Sequence, residues 1–336
     1  MQKNLIAALV AILLAAGCGT TNHTAKPISP PRAARPRLAE PIDLDKLRPN
    51  ELGKVLIVEY HDVGDTEERW KRQRDNFRTD LQRLYDLGYR PVSLRDYVTN
   101  NIKTPAGKSP IVITFDDSTA GQFNYLYADG DWKIDPDCAV AIMEDFHRKH
   151  PDWPLEATFY VYYPVPFRQE DLIGKKLRHL VDVGMDIGNH TYTHTRLDKI
   201  SDQDAAKEIA LGVKAAALHA PDAVVDSIAL PYGKAPKNKS ILVSGRHEGT
   251  KYHNIAALLV GAEPAPSPVA HKFDPYRLPR VQATQSELDK WLRYFERRPD
   301  KRYVSDGDPD VVTVPKDMAR HIDKTQLSAS KTLRTY

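Results

Sequence analysis

One short segment of this chain joins a strand signal to two adjacent acids: Ile111-Val112-Ile113-Thr114-Phe115-Asp116-Asp117. Its apolar and β-branched residues predict a strand that is buried on both faces. Successive side chains on a strand point in opposite directions, but the chain turns where the strand ends, so both carboxylates can reach one cleft. There one carboxylate can bind a cation while the other accepts a proton from water. On its own, an Asp-Asp pair serves in turns and caps more often than in catalysis.

The segments on either side alternate between strand and helix patterns. We predict further strands at 55–58, 157–162, 186–188, 227–230, 255–260 and 311–314, and helices at 70–87, 136–149, 172–183, 202–219 and 285–296. Repeated βα units predict an α/β fold of parallel strands enclosed by helices. Because no internal repeat or second boundary is evident, we expect a single catalytic domain over 51–316. The polar, basic tail over 317–336 is expected to form a surface helix or a frayed end.

The first 50 residues have the composition of an export signal followed by a tether. An apolar stretch at 5–16, too short to span a membrane, leads through small residues to Cys18. It predicts a signal peptide over 1–18, and its resemblance to a lipobox predicts that Cys18 is lipidated; a plain secreted protein is the alternative. The Pro-rich segment 19–50 predicts an extended tether. We therefore expect an extracytoplasmic protein that is lipid-anchored to a bacterial membrane in the cell envelope.

The bulk composition bounds the class of protein. The chain has 336 residues, 41% hydrophobic and 28% charged, so it can fill one large domain or two ordinary ones. A formal charge of +3, with scattered basic residues, predicts no nucleic-acid partner. If Cys18 is lipidated, only Cys138 remains, and the fold must form without a disulfide bond.

A second polar cluster is His190-Thr191-Tyr192-Thr193-His194, which directly follows Gly188-Asn189. On a helical turn, imidazoles at this spacing would lie on one face. With a carboxylate they form a two-histidine, one-aspartate site that leaves positions open for water and substrate. A lone histidine pair at this spacing is more often structural, but the two clusters together predict a metal-dependent hydrolase.

Several motifs in combination resemble those of the polysaccharide deacetylases, the NodB-like carbohydrate esterases. They are Thr114-Phe115-Asp116-Asp117, the stretch 189–194, and Leu230-Pro231-Tyr232-Gly233, in this order. The opening Glu59-Tyr60-His61-Asp62-Val63 and the later Gly88-Tyr89-Arg90-Pro91-Val92-Ser93-Leu94 resemble the poly-N-acetylglucosamine deacetylase branch. The resemblance covers roughly residues 54–315. It implies a distorted (β/α) barrel with a divalent metal in the cleft at the strand ends.

The resemblance also implies a role for each motif residue. Asp116 would be the general base, while the metal would be held by Asp117, His190 and His194. Zinc is the expected metal, and cobalt, nickel or iron would also suit two imidazoles and a carboxylate. The metal would polarise the acetyl carbonyl, and Asp116 would deprotonate the attacking water. The metal and the backbone N–H of Tyr232 would stabilise the oxyanion.

The general acid is where the sequence departs from the family pattern. The strand predicted at 311–314 carries no histidine, although the family usually places one there. The resemblance to the poly-N-acetylglucosamine branch implies that His61 supplies the acid. His253 and His271 are the weaker alternatives, and a structural role is the alternative for His61.

A second departure concerns an arginine. Ala229 stands where the family usually has an arginine before Pro-Tyr. Arg277 and Arg280 follow later in the chain, and one of them could pair with Asp116 and tune its pKa. A surface position is the alternative for each.

Three functions remain open from the sequence. The first is removal of N-acetyl groups from an extracytoplasmic polysaccharide of N-acetylglucosamine type. The second is cleavage of O-acetyl esters on a glycan such as xylan, which needs no acid to protonate an amine. The third is a catalytically inactive glycan-binding envelope lipoprotein, against which the intact base and ligand residues argue. The glycan, the physiological metal and the oligomeric state do not follow from the sequence.

Overall fold

The computed structural model describes residues 42–327 and 330–336. The predicted signal peptide over 1–18 and the predicted tether up to residue 41 lie outside the described residues. Residues 42–50, which the composition assigns to the tether, contain a short helix, and Asn50 forms an isolated bridge with Val304. In this described part of the chain, no helix is both long and apolar enough to cross a bilayer.

Helices and strands alternate along the chain. The helices are α1 Leu44–Leu47, α2 Arg74–Asp86, α3 Leu94–Val98, α4 Ala139–Lys149, α5 Ile173–Asp182, α6 Asp202–His219, α7 Ser240–Val243 and α8 Gln285–Arg297. The strands are β1 Leu56–Tyr60, β2 Asp62–Gly64, β3 Lys71–Gln73, β4 Tyr89–Pro91, β5 Ser109–Phe115, β6 Tyr125–Ala128, β7 Asp131–Ile134, β8 Thr158–Val161, β9 Asp186–Asn189, β10 Ser227–Ala229, β11 Ser244–His247, β12 Thr250–His253, β13 Ala256–Leu258, β14 Val281–Gln282, β15 Val311–Val314 and β16 Thr332–Thr335.

One sheet forms the centre of the domain. Its strands run in the order β13-β10-β9-β8-β5-β1-β14, and β4 pairs with the first residues of β5. Every pairing within this sheet is parallel. The predicted α/β architecture with parallel strands is therefore confirmed. Since the carboxyl ends of parallel strands meet at one edge, side chains that follow the strands are brought together there.

The core lies on both faces of this sheet. The strands β1 and β5 are buried along their whole length because helices and loops cover both sides. Side chains alternate between two apolar clusters: Val58 belongs to the cluster that includes Phe77 of α2, whereas Ile57 belongs to the one that includes Tyr97 of α3. This double burial explains why β1 and β5 are continuous apolar runs in the sequence rather than alternating ones.

Two expected elements differ from the structure. The helix predicted at 70–87 begins at Arg74, because Lys71–Gln73 form β3 and pair with β2. The strand β15, predicted as the last strand, pairs only with β16 among the described residues. The tail begins with a 3-10 helix, Lys316–His321, that buries no residue, but it ends in a strand rather than a frayed end. The main sheet instead ends with β14 beside β1.

Candidate active site

The carboxyl ends of the central strands meet at one cleft. Asp116 and Asp117 follow β5, and His61 and His190 follow β1 and β9. The cleft has a volume of about 460 Å³. It brings together Asp116, Asp117, His61, His190, His194 and Tyr232, which are the residues to which the motifs assign catalytic, metal-binding or oxyanion roles.

Asp117, His190 and His194 converge on one point of this cleft. Oδ1 of Asp117 lies 3.3 Å from Nε2 of His190 and 3.3 Å from Nε2 of His194. A tetrahedral cation with bonds of about 2.0–2.1 Å separates its ligand atoms by about 3.3–3.4 Å. The observed spacing is therefore that of ligands around a single ion, and these three residues are called the ligand group below.

The donor atoms of the ligand group also fit a cation chemically. Nδ1 of His190 lies 2.8 Å from the carbonyl oxygen of Ala229, so Nδ1 carries the proton and Nε2 directs its lone pair into the cleft. Oδ1 of Asp117 is buried and accepts no hydrogen bond from the described residues. A buried acceptor that faces another acceptor is costly without a positive charge between them. The residues therefore fit a bound divalent metal.

Left-handed backbone shapes the loops that carry the ligand group. Asp117, Thr191 and His194 have φ angles of 74°, 62° and 59°. Non-glycine residues in this region cost about 1–3 kcal/mol each, and such strain clusters at functional sites. Residues 190–194 accordingly form a loop and not a helical turn. The tighter loop nevertheless brings both imidazoles to the same point.

Asn189 fixes this loop against helix α6. Its Oδ1 accepts a hydrogen bond from the backbone N–H of Thr191 at 2.8 Å, and its Nδ2 donates to the carbonyl oxygen of Ile209 at 2.8 Å. The helix comes this close because residue 212 is glycine, where a Cβ atom would lie 2.6 Å from Oδ1 of Asn189. The helix thereby sets the position of the residues that follow β9.

Arg280 holds Asp116 with two parallel hydrogen bonds. Its Nη1 donates to Oδ1 at 2.8 Å and its Nη2 donates to Oδ2 at 2.6 Å, and both side chains are buried. Burial raises the pKa of Asp116, but the Arg280 guanidinium and the nearby histidines together lower it more, so that pKa lies below its ordinary value. Asp116 is therefore a fixed, ionised carboxylate beside the ligand group.

Glu59 is the second carboxylate on the same guanidinium. Oε1 accepts from Nη2 of Arg280 at 2.9 Å, and Oε2 accepts from the backbone N–H of Gly261 at 2.9 Å. Burial raises the pKa of Glu59 to about 7. The sequence analysis assigned Glu59 no role. A charged residue inside a strand that is otherwise apolar and doubly buried was the available signal.

His61 lines the same cleft beside Trp70. Its side chain is 13% exposed and its ring packs 4.5 Å from the ring of Trp70. Burial lowers the pKa of His61, although the nearby carboxylates oppose this shift. Trp70 was predicted as the first residue of a helix, whereas the structure places it in the cleft wall before β3.

A second cluster, of two carboxylates and one histidine, also has ligand atoms within 4.8 Å of one another: Glu59, His61 and Asp116. The guanidinium of Arg280 already forms ion pairs with both of these carboxylates. A cation there would be repelled by a buried positive charge. The ligand group around Asp117 is therefore the better metal site.

The remaining predicted residues divide between the cleft and the surface. Tyr232 has a φ of 58°, is 59% exposed, and its ring lies 4.9 Å from the ring of His194. Arg277 is exposed and does not line the cleft, so Arg280 alone of the two arginines contacts Asp116. His253 and His271 are also exposed and outside the cleft lining.

Comparison with known families agrees with the motifs. Residues 148–249 match the family model described as polysaccharide deacetylase. The matched segment contains His190, His194 and Tyr232 and begins after Asp117. No curated protein matches the chain. The family match confirms the predicted resemblance and the predicted enzyme class, a deacetylase hydrolase, for which an acetylated polysaccharide is the implied substrate.

Solved structures share the fold at low sequence identity. IcaB from Ammonifex degensii has a TM-score of 0.52 at 18% identity, covering 72% of this chain and 97% of that chain. The Streptococcus pyogenes deacetylase PplD in complex with acetate has a TM-score of 0.51 at 18% identity, covering 70% and 97%. BC0361, a polysaccharide deacetylase from Bacillus cereus, has a TM-score of 0.50 at 16% identity, covering 70% and 68%. The predicted distorted (β/α) barrel is confirmed.

Proposed function

We propose that this polysaccharide deacetylase is a metal-dependent enzyme that removes N-acetyl groups from an extracytoplasmic polysaccharide of N-acetylglucosamine type. The observation that carries the proposal is the pairing of two sites in one cleft. A carboxylate held by a buried arginine, Asp116, lies directly beside the ligand group of Asp117, His190 and His194. Hydrolysis of an amide requires both a base for water and a stabilised oxyanion.

The ligand group would hold a divalent metal, with zinc favoured by two imidazoles and one carboxylate and with cobalt, nickel or iron also suited to them. When bound, the metal polarises the acetyl carbonyl and makes a water molecule acidic. The chain itself supplies the remaining parts of the reaction. Tyr232, whose backbone N–H the family resemblance assigns to the oxyanion, stands at the cleft rim next to His194.

Asp116 takes the proton from the attacking water. Its two oxygens are each bonded to Arg280, so the carboxylate cannot rotate away from the cleft. The same contact stabilises the ionised form, which is the form that accepts a proton. Glu59 accepts a hydrogen bond from the same guanidinium and so helps to fix the position of Arg280 beside Asp116.

His61 gives a proton to the amine as it leaves. It lines the cleft and packs on Trp70, which limits the directions in which its ring can point. An amine is a poor leaving group without this proton, so the acid matters more for an amide than for an ester.

A second candidate function, cleavage of O-acetyl esters on a glycan such as xylan, rests on one observation. Burial lowers the pKa of His61, so that less of this side chain carries the proton that an acid must give. Ester cleavage tolerates a scarce acid because an alkoxide leaves more readily than the anion of an amine. The base and the ligand group would serve both reactions.

The location of the enzyme is a proposal that rests on the sequence alone. The apolar segment before Cys18 supports export and lipidation, and the Pro-rich segment after it supports a tether. The folded domain would then be held at a bacterial membrane facing the envelope polysaccharides. Incorporation of radiolabelled palmitate into the wild type but not into Cys18→Ala would support the anchor, and equal labelling would exclude it.

Acetate release tests the proposed reaction. The purified full chain is incubated with an N-acetylglucosamine hexamer or with acetylated xylan, after chelation and after zinc or cobalt is added back. Metal-dependent acetate from the hexamer supports the deacetylase, and acetate from xylan alone supports the esterase. His61→Ala should reduce amide cleavage more than ester cleavage, and an equal loss on both substrates would remove the acid role.

A further inference from the structure

A second pocket lies directly behind one wall of the cleft. It has a volume of about 520 Å³ and is lined by residues that follow β10 and β13 and by the turn before β14. A volume of this size holds a small ligand such as a sugar. None of the predicted base, acid or ligand residues lines it.

One thin ridge separates this pocket from the cleft. Tyr232 and Val260 line the cleft, while their chain neighbours Gly233 and Leu259 line the pocket. Gly233 has a φ of 67°, and a Cβ atom there would lie 3.1 Å from the backbone nitrogen of Val260. The two chain segments are therefore packed against each other, and only their width divides the two cavities. A polymer that crosses the ridge reaches both.

The lining of the pocket carries two cationic side chains and one acid, so its net charge is positive. Lys239 and Arg277 both line it, and within the described residues neither side chain forms an ion pair or a hydrogen bond. The acid in the lining, Asp274, uses its carboxylate to accept the backbone N–H of Tyr276 at 2.9 Å. An unpaired guanidinium and an unpaired ammonium are strong donors for carboxylate or phosphate oxygens.

The floor of the pocket is fixed. The hydroxyl of Tyr276 donates to the carbonyl oxygen of Asn254 at 2.9 Å, which anchors the turn 275–277 to the end of β12. The apolar side chains of Leu242 and Leu259 complete the lining. A fixed, partly apolar cavity with a few converging polar groups is the usual form of a small-molecule site.

We propose that this pocket is a subsite for an anionic sugar of the polysaccharide substrate, one that carries a carboxylate or a phosphate. The proposal rests on the proposed deacetylase function and narrows its substrate to an acidic glycan. Lys239 and Arg277 would bind the anion while a neighbouring N-acetyl sugar lies in the cleft. Tyr232, exposed on the ridge, would contact the chain between the two.

Binding tests the inference without requiring turnover. Dissociation constants are measured calorimetrically for the full chain with three oligosaccharides of equal length. One alternates N-acetylglucosamine with glucuronic acid, one is N-acetylglucosamine bearing a phosphate monoester, and one is neutral N-acetylglucosamine. We expect at least one acidic oligomer to bind more tightly than the neutral one. The carboxylate and phosphate arms distinguish the two sources of the anion.

Charge removal identifies the site. The double variant Lys239→Gln, Arg277→Gln should weaken binding of the preferred acidic oligomer about tenfold, and less at high salt because exposed ion pairs are screened. Binding of the neutral oligomer should not change. A matched control, Lys237→Gln with Arg297→Gln, removes two exposed cations that do not line the pocket.

Acetate release from the same oligomers separates this inference from the proposed function. Absence of acetate from all three oligosaccharides would refute the proposed deacetylase activity. The difference in binding between acidic and neutral oligosaccharides would still show whether the pocket is an anion subsite. Equal binding of acidic and neutral oligomers would overturn the subsite. So would an equal effect of the double variant and its control.

Discussion

Two carboxylates share the guanidinium of Arg280, and all three side chains are buried. A buried ion network of this kind depends on every member, because removal of one leaves the others charged and without partners. Here the arrangement orients Asp116, the proposed base, and connects it to β1 through Glu59. The family resemblance places an arginine at position 229, where this chain has Ala229 in β10. The arginine that contacts Asp116 here is Arg280, which directly precedes the edge strand β14.

Arg280→Met should therefore destabilise the protein strongly. We expect a loss of about 3–5 kcal/mol in the free energy of unfolding at pH 8, because Asp116 and Glu59 become unpaired buried anions. Without the arginine, burial raises both folded-state pKa values above the unfolded ones. Stability of the variant then falls as pH rises, so the gap to the wild type should narrow toward pH 5.

Urea unfolding at pH 5 and pH 8 measures this gap. Arg277→Met, at an exposed arginine of the neighbouring turn, is the matched control and should change stability by less than about 0.5 kcal/mol. If the two variants unfolded alike, Arg280 would not hold a buried network.

For single residues, the sequence predicts contacts between side chains that are close together in the chain. Asp116 with Asp117, and His190 with His194, are close in the chain, and their motifs suffice to place them in one cleft. The contacts of Glu59 and Arg280 join residues far apart in the chain, so no spacing rule reveals them. The sequence does not distinguish Arg277 from Arg280; in the structure Arg280 directly precedes β14 and is buried, whereas Arg277 is exposed.

Helix α6 is the element that supports the ligand group. It packs on β9 through Gly212, and Asn189 bonds both to the helix and to the loop of His190 and His194. Residues that hold metal ligands in place commonly affect affinity as much as some ligands do. The helix thus acts on the site although none of its residues lines the cleft.

Asn189→Ala should weaken metal binding by about ten- to a hundredfold while the fold is retained. Without the amide, the loop loses one bond to the N–H of Thr191 and one to α6. Zinc affinity is measured by competition with a chromophoric chelator, and circular dichroism checks the fold. Lys214→Ala on the exposed side of α6 is the control, and matching affinities for the two variants would contradict the role of Asn189.

A helix or strand can be predicted from the sequence when it is long enough to show a periodic pattern of apolar residues. The long helix α6 was predicted with the observed bounds, 202–219, because its alanine-rich apolar pattern extends over many turns. The hairpin β6–β7 and the two-residue strand β14 were not predicted, since a few residues give no period. The strand β15 was predicted, but its position outside the main sheet was not, because it follows from pairing with β16, a strand that the sequence pattern did not reveal.

The two ends of the domain are joined by a buried acid. Glu51 accepts a hydrogen bond from the backbone N–H of Thr313 at 2.9 Å and another from that of Asp306 at 3.2 Å. Burial raises the pKa of Glu51 to about 8, and the nearby Asp306 adds to this rise. The beginning of the folded chain is thus tied to β15 and, through it, to the final strand.

Stability of the whole domain should fall as pH rises because of this group. The folded-state pKa of about 8 exceeds the ordinary glutamate pKa of about 4.5, so between these values the native state binds one proton more than the unfolded state. The free energy of unfolding then decreases by up to about 1.4 kcal/mol per pH unit from this group. Glu51→Gln removes the effect.

Denaturant unfolding of wild type and Glu51→Gln from pH 5 to pH 8 checks this account. The variant should show the shallower dependence on pH, with the two curves diverging as pH rises. Curves that stayed parallel over this range would mean that Glu51 does not titrate differently in the folded and unfolded states.

The central claim for the whole molecule is that one cleft contains two separate parts: a metal site, formed by the ligand group, and a base, Asp116, that does not bind the metal. The most direct test measures bound zinc and acetate release from an N-acetylglucosamine hexamer on the same samples of wild type, Asp116→Asn and Asp117→Ala. We predict that Asp116→Asn keeps near-normal zinc but loses turnover by several orders of magnitude, whereas Asp117→Ala loses both. Loss of zinc in Asp116→Asn, or turnover by Asp117→Ala without metal, would contradict it.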